Sequence, residues 1–219
     1  MTLVFLHALP LDERMWARQL EAFGGLAPRL YGRGRTMDAW AGSVLEEVEG
    51  ELVLVGASMG GYCALAMARQ EPGRVLGLVL TGSRADADSD ERRAGRADTL
   101  ELIGREGAAG LWESMRPKLF PSDADPAVVE EARTMALEQR PEELAAAVEA
   151  IRDRPDSTDV LLALGDRSLA IVGDADPFVA PDEVPAHEVR VIRGCGHLPS
   201  LQRPDEFSRL LAEALARWT

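Results

Sequence analysis

A run with the character of a buried strand, Glu51-Leu52-Val53-Leu54-Val55, leads straight into Gly56-Ala57-Ser58-Met59-Gly60 and then into an alanine-rich segment from Gly61. A G-x-S-x-G sequence set between strand and helix constrains the fold more than any other stretch, because it demands a sharp turn at the edge of a sheet. The backbone passes through strained dihedrals there, and Gly56 and Gly60 supply neighbours with no side chain to obstruct it. Ser58 is therefore the candidate nucleophile. Met59, opening the helix, offers its N–H to a developing oxyanion.

Strand-like runs lie at 2–7, 52–57, 75–81, 168–173 and 188–193, with a weaker sixth expected near 28–32. They alternate with helical patterns, which predicts βαβ units and a parallel sheet. Asp12 is placed to cap a helix carrying Met15, Trp16, Leu20 and Phe23 on one side. Met37 to Val48 and Met59 to Gln70 read as two more helices, the latter ended by Pro72-Gly73. At the far end Pro204, Asp205 and Glu206 suit a helix start, and Phe207, Leu210, Leu211, Ala214, Leu215 and Trp218 form its apolar stripe.

Three segments together resemble the α/β-hydrolase superfamily, within it the small lidded esterases and enol-lactonases. Leu3-Val4-Phe5-Leu6-His7-Ala8-Leu9-Pro10 is similar to the family's strand and H-G-x-P oxyanion turn, with Ala8 in place of the usual glycine. Ile171-Val172-Gly173-Asp174-Ala175-Asp176-Pro177 resembles the strand and G-[DE]-x-D turn that carry the acid, and Gly194-Cys195-Gly196-His197 resembles the histidine loop. Serine, aspartate, histidine is the chain order of that fold. The resemblance implies a reduced, mostly parallel sheet of about six strands with helices on both faces and an inserted helical lid. It also implies Leu9 N–H as the second oxyanion donor and a bracing role for His7.

From 85 to 165 the strand pattern stops, and Asp125-Pro126 and Arg140-Pro141 give helix starts. This segment is expected to form the lid, with 1–84 and 166–219 as the core. Trp112, Met115 and Phe120 are the residues expected to line the substrate pocket, since large apolar groups suit a small-molecule cleft.

A serine hydroxyl needs a base within reach, and there are three histidines. His187 precedes the last strand with no glycine loop to present it and reads as a surface residue. His197 is the expected general base, later the acid toward the leaving alcohol. The family's turn favours Asp176 as the carboxylate that orients it, with Asp174, two residues earlier, as the alternative. Cys195 reads as a small filler beside His197. A serine at this turn excludes the dehalogenases and epoxide hydrolases that need an aspartate nucleophile, and leaves acyl transfer.

A net charge of −13 leaves no basic stripe for nucleic acid and disfavours anionic membrane surfaces. No apolar run approaches the roughly 20 residues that span a bilayer. The short stretch Leu3–Leu6 lacks the leader of a signal peptide, so a cytoplasmic location is expected. Histidine and cysteine spacing suggests no metal, and no cofactor is expected. The expected activity is hydrolysis of a small carboxylic ester or lactone through an acyl-enzyme on Ser58. A carbon–carbon bond hydrolase or synthase, a thioesterase, and a signal receptor with little turnover remain alternatives on the same scaffold. Oligomeric state is not legible.

Overall fold

Five parallel strands stand side by side in chain order: β1 (Thr2–Leu6), β2 (Leu52–Ala57), β3 (Val75–Thr81), β4 (Ser168–Gly173) and β5 (Glu188–Ile192). The computed structural model describes residues 1–218. Side chains alternate across the sheet. Leu3, Phe5, Val53, Val55, Leu169 and Ile171 enter one apolar layer, while Val4, Leu6, Leu52, Leu54, Ala170 and Val172 enter the other. Because both faces are covered, β2 and β4 are buried at every residue and read as unbroken apolar runs.

Helices α2 (Met37–Glu47) and α3 (Met59–Gln70) cover the second layer. The first is covered by α1 (Ala17–Phe23) and a C-terminal helix, Pro204–Trp218. The first helical segment begins as a 3-10 turn, Glu13–Trp16, capped by the Asp12 carboxylate accepting from Arg14 N–H. Its Trp16 packs 5.3 Å from the Phe5 ring and 5.9 Å from the Phe207 ring, so one indole joins strand, first helix and last helix.

The sixth strand expected near 28–32 does not form. Leu26 makes one bridge to β1, with Phe5 N–H donating to Leu26 O and Leu26 N–H to Leu3 O. Pro28 then has no N–H to extend the ladder. Leu30 N–H turns instead to His7 Nε2, at 2.9 Å. The sheet therefore ends at β1.

Between β3 and β4 the chain is helical: α4 (Asp90–Leu119), α5 (Pro126–Leu137), α6 (Pro141–Arg152) and α7 (Thr158–Leu164). Gly107, at φ 63°, kinks α4. Helix α7 packs on α3 and β4 and so returns to the core layer, whereas α4 packs mainly on α6 and α5. The last two helices are α8 (Pro199–Gln202) and α9 (Pro204–Trp218). Helix α9 lies on β3, β4 and β5, and the Trp218 ring occupies the space where a side chain on Gly77 would stand. Among the described residues no helix is long and apolar enough to cross a membrane.

Candidate active site

The register of the strands brings the chemistry to one edge. Leu6 pairs with Gly56, Ala57 with Thr81 and Gly173 with Ile192. His7, Ser58, Gly82 and Asp174 therefore leave the sheet together at its C-terminal side, where open α/β sheets place their ligand crevices.

Ser58 is the one non-glycine residue at positive φ among the described residues, at φ 49° and ψ −112°. That conformation is strained for an L-residue and is held from several sides. Ser58 N–H donates to Thr81 O at 2.8 Å, and Ser83 Oγ donates to Ser58 O at 2.9 Å. The turn also requires helix α3 to press onto the strands. A Cβ on Gly60 would stand 2.1 Å from Leu6 O, and one on Gly56 would stand 2.5 Å from Gly61 Cα. No larger residue fits either place without moving backbone. Met59 is the first residue of α3, so its N–H belongs to the first turn and has no partner within the helix.

His197 is 3 % exposed, and its Nδ1 lies 2.8 Å from Asp176 Oδ2, a carboxylate with no exposed side-chain surface. The other Asp176 oxygen accepts from Phe178 N–H at 2.8 Å and Val179 N–H at 3.3 Å, which fixes the carboxylate's orientation. Asp174 does something different. Its Oδ1 accepts from Gly194 N–H at 2.8 Å and Cys195 N–H at 3.4 Å, and so ties down the start of the histidine loop. Of the two aspartates, Asp176 is the one that reaches the imidazole. The ring also sits against Gly82, where an added Cβ would come within 2.7 Å of it, and 4.7 Å from the ring of Phe178. Leu119 O, at the end of α4, accepts from His197 N–H at 3.1 Å and joins the inserted helices to the loop.

The other two histidines separate as the sequence suggests. His187 is exposed. His7 is fully buried, and burial lowers its pKa to about 4. Nε2 accepts from Leu30 N–H, which leaves the ring proton on Nδ1 facing Ala8 O at 3.3 Å. A neutral His7 thus braces the turn that carries Leu9. Ala8 keeps an ordinary negative φ, so the missing glycine is accommodated without strain. Cys195 is buried and its thiol is pushed up to about 12 by desolvation, which leaves it protonated and inert.

Ser58 and His197 line the same cleft, of about 250 Å³, together with Leu9, Tyr62 and Met115. The cleft is small against the roughly 300–1,000 Å³ of drug-sized sites. Of the three apolar residues expected to line it, only Met115 does. Trp112 and Phe120 are 1 % and 5 % exposed and pack on each other, rings 6.4 Å apart, within the apolar layer that holds Trp16 and Phe207. What faces the cleft from α4 is instead a polar stripe, Arg92, Gly95, Arg96 and Thr99, joined by Arg84 and Lys118. The i, i+4, i+7 spacing of Arg92, Arg96 and Thr99 carries that face in the sequence, but a search for large apolar residues passes over it.

A family model described as "Alpha/beta hydrolase family" matches residues 3–210. The structure superposes on that of a thermophilic esterase from Thermogutta terrifontis in a malate-bound form with a TM-score of 0.89 and 34% identity, covering 100% of this chain and 90% of that one. An enol-lactonase from Burkholderia xenovorans LB400 shares the fold at a TM-score of 0.82 and 22% identity, over 98% of this chain and 91% of that one. A pimeloyl-[acyl-carrier protein] methyl ester esterase from Aromatoleum aromaticum is 29% identical, with 97% of each chain covered. With the strand-to-helix turn at Ser58, the histidine loop and the sheet order already in place, the chain belongs to the alpha/beta hydrolase family.

Proposed function

We propose that this protein is a serine hydrolase of small carboxylic esters or lactones, with Ser58, His197 and Asp176 as its catalytic residues. One observation carries the reading: a strained serine at a strand-to-helix turn shares a cleft with an imidazole whose far nitrogen is held by a buried carboxylate. Asp176 keeps the proton on Nδ1 and so leaves Nε2 basic toward Ser58. Ser58 Oγ attacks the carbonyl carbon as His197 takes its proton, and the oxyanion is received by the N–H groups of Met59 and Leu9. The C–O bond to the alcohol breaks with the same proton passing from His197 to the leaving oxygen. Water then attacks the acyl-enzyme by the reverse route, releasing the acid and restoring Ser58. Similarity to an esterase at 34% identity supports ester chemistry, and the small cleft supports small substrates. In this reading α4–α6 are the lid and supply the far wall of the cleft.

The test is turnover of a panel of short-chain methyl and p-nitrophenyl esters and lactones. Wild type hydrolyses members of the panel, and Ser58→Ala, folded by circular dichroism, loses about 10³-fold or more in kcat. A folded Ser58→Ala variant that keeps its rate removes the proposal.

A further inference from the structure

The charge in the cleft runs against that of the molecule. The chain as a whole carries −13, yet Arg84, Arg92, Arg96 and Lys118 line the cleft against a single carboxylate, Asp88. A wall of this kind is not needed for attack on a neutral ester, and burying cations beside an apolar acyl chain is costly.

Two of the four cations are committed to the protein. Arg84 binds Asp86 at 2.9 Å and Glu183 at 2.7 Å, and Arg92 binds Asp86 at 2.6 Å. Those bonds hold Asp86 below the ordinary carboxylate range even though its partial burial works the other way. Asp88 is shared still more heavily. Its side chain is 1 % exposed and receives Arg154 at 2.7 Å, Arg96 Nε at 3.0 Å and, more loosely, Arg92 at 3.5 Å. With Asp86 and Glu183 included, four guanidiniums, of Arg84, Arg92, Arg96 and Arg154, face three carboxylates and leave a cationic surplus, and the Nε atoms of Arg92 and Arg154 are buried without a hydrogen-bond partner. Arg154 is itself fixed, stacked 4.0 Å over the ring of Tyr62, which lines the cleft.

What remains free is well defined. Arg96 spends only its Nε on Asp88, so its two terminal nitrogens have no partner among the described residues. The Lys118 ammonium has none either, and both residues are on the cleft wall opposite no second carboxylate. A guanidinium edge and an ammonium on the wall of one cleft are receptors for a carboxylate, the first by paired hydrogen bonds and the second as a point charge.

We propose that the cleft takes small esters carrying a second, ionised carboxylate, which Arg96 and Lys118 hold while the ester carbonyl meets Ser58. This rests on the hydrolase reading above. The reaction is unchanged: water adds across the ester, the alcohol leaves with one proton, and a half-ester such as monomethyl glutarate becomes glutarate and methanol. The distal carboxylate takes no part in bond making and fixes the orientation of the substrate. It would sit on the acyl or on the alcohol side, and the two substrate pairs below assign which.

The experiment measures kcat/KM for monomethyl glutarate against methyl pentanoate, and for acetoxyacetate against propyl acetate, at 50 and 500 mM salt. The anionic member of at least one pair is expected to exceed its neutral match by about tenfold or more, with the advantage shrinking at high salt. Arg96→Gln and Lys118→Gln are each expected to reduce that ratio about tenfold. Lys118 is exposed and unpaired, so its variant folds even where loss of the Arg96–Asp88 bond disturbs α4. Calorimetric binding of glutarate, which needs no turnover, is expected for wild type and weakened in both variants. Neutral esters favoured in both pairs, with ratios unmoved by Lys118→Gln and no glutarate binding, overturns the proposal. Glutarate binding with no ester turnover at all instead sinks the hydrolase reading and leaves the anion site standing.

Discussion

At the scale of single residues, the site depends on two histidines kept in opposite states of access. His197 is held at the cleft by Asp176, while His7 is sealed beneath the turn that carries Leu9 and has its pKa lowered by burial from the usual 6.5 to about 4. The unfolded chain takes up a proton on His7 below about pH 6.5, whereas the folded protein does not until about pH 4. The stability it contributes is therefore complete above about 6.5 and lost as the pH falls toward 4, roughly 3 kcal/mol over the window. Urea unfolding between pH 7 and 5 is expected to show this slope in wild type and a shallower one in His7→Gln, whose amide oxygen still accepts from Leu30. Equal slopes in the two proteins would show that His7 is not a buried neutral brace. The sequence carried His7 only by its resemblance to the family's turn. The hydrogen bond from Leu30 N–H and the packing of the Tyr31 ring at 4.8 Å come from residues that no local pattern connects to His7.

At the scale of elements, the sequence was most legible where one physical demand acts alone. The runs read at 52–57, 75–81 and 168–173 are the bounds of β2, β3 and β4, because a doubly covered strand is apolar on both faces along most of its length. The segment near 28–32 misled because Leu30 and Tyr31 look strand-like, while Pro28 denies the ladder a donor. The inserted helices were harder. Periodicity marks an apolar stripe but not what it faces, and Trp112 and Met115, three residues apart on α4, go to the interior and to the cleft respectively. Trp112→Ala is therefore expected to cost about 3–5 kcal/mol of stability and lower the melting temperature, with the order of preference among esters retained. A reshuffled substrate order at unchanged stability would place Trp112 at the substrate after all. The Arg92–Arg96 face of α4 escaped the same reading because a charged stripe on a helix ordinarily faces solvent.

At the scale of the whole molecule, the sheet edge collects segments far apart in sequence, and each arrives by a different constraint. Gly56 and Gly60 let α3 close on the strands, Gly82 makes room for the imidazole, and Asp174 pins the loop that delivers it. The order of these segments in the chain was visible from their motifs; between Asp174 and Asp176 the family's turn favoured Asp176, but the residues themselves do not fix the choice, since two residues apart on one turn their side chains reach different partners. In the proposed reaction Ser58 is a nucleophile activated through His197 and Asp176. Its most direct test is the rate of covalent labelling by a fluorophosphonate, followed by intact mass and peptide mapping, in wild type, Ser58→Ala and Asp176→Asn. One adduct is expected, on Ser58, absent from Ser58→Ala and formed at least about 10²-fold more slowly in folded Asp176→Asn. An adduct on any other residue, or labelling of Asp176→Asn at the wild-type rate, would contradict it.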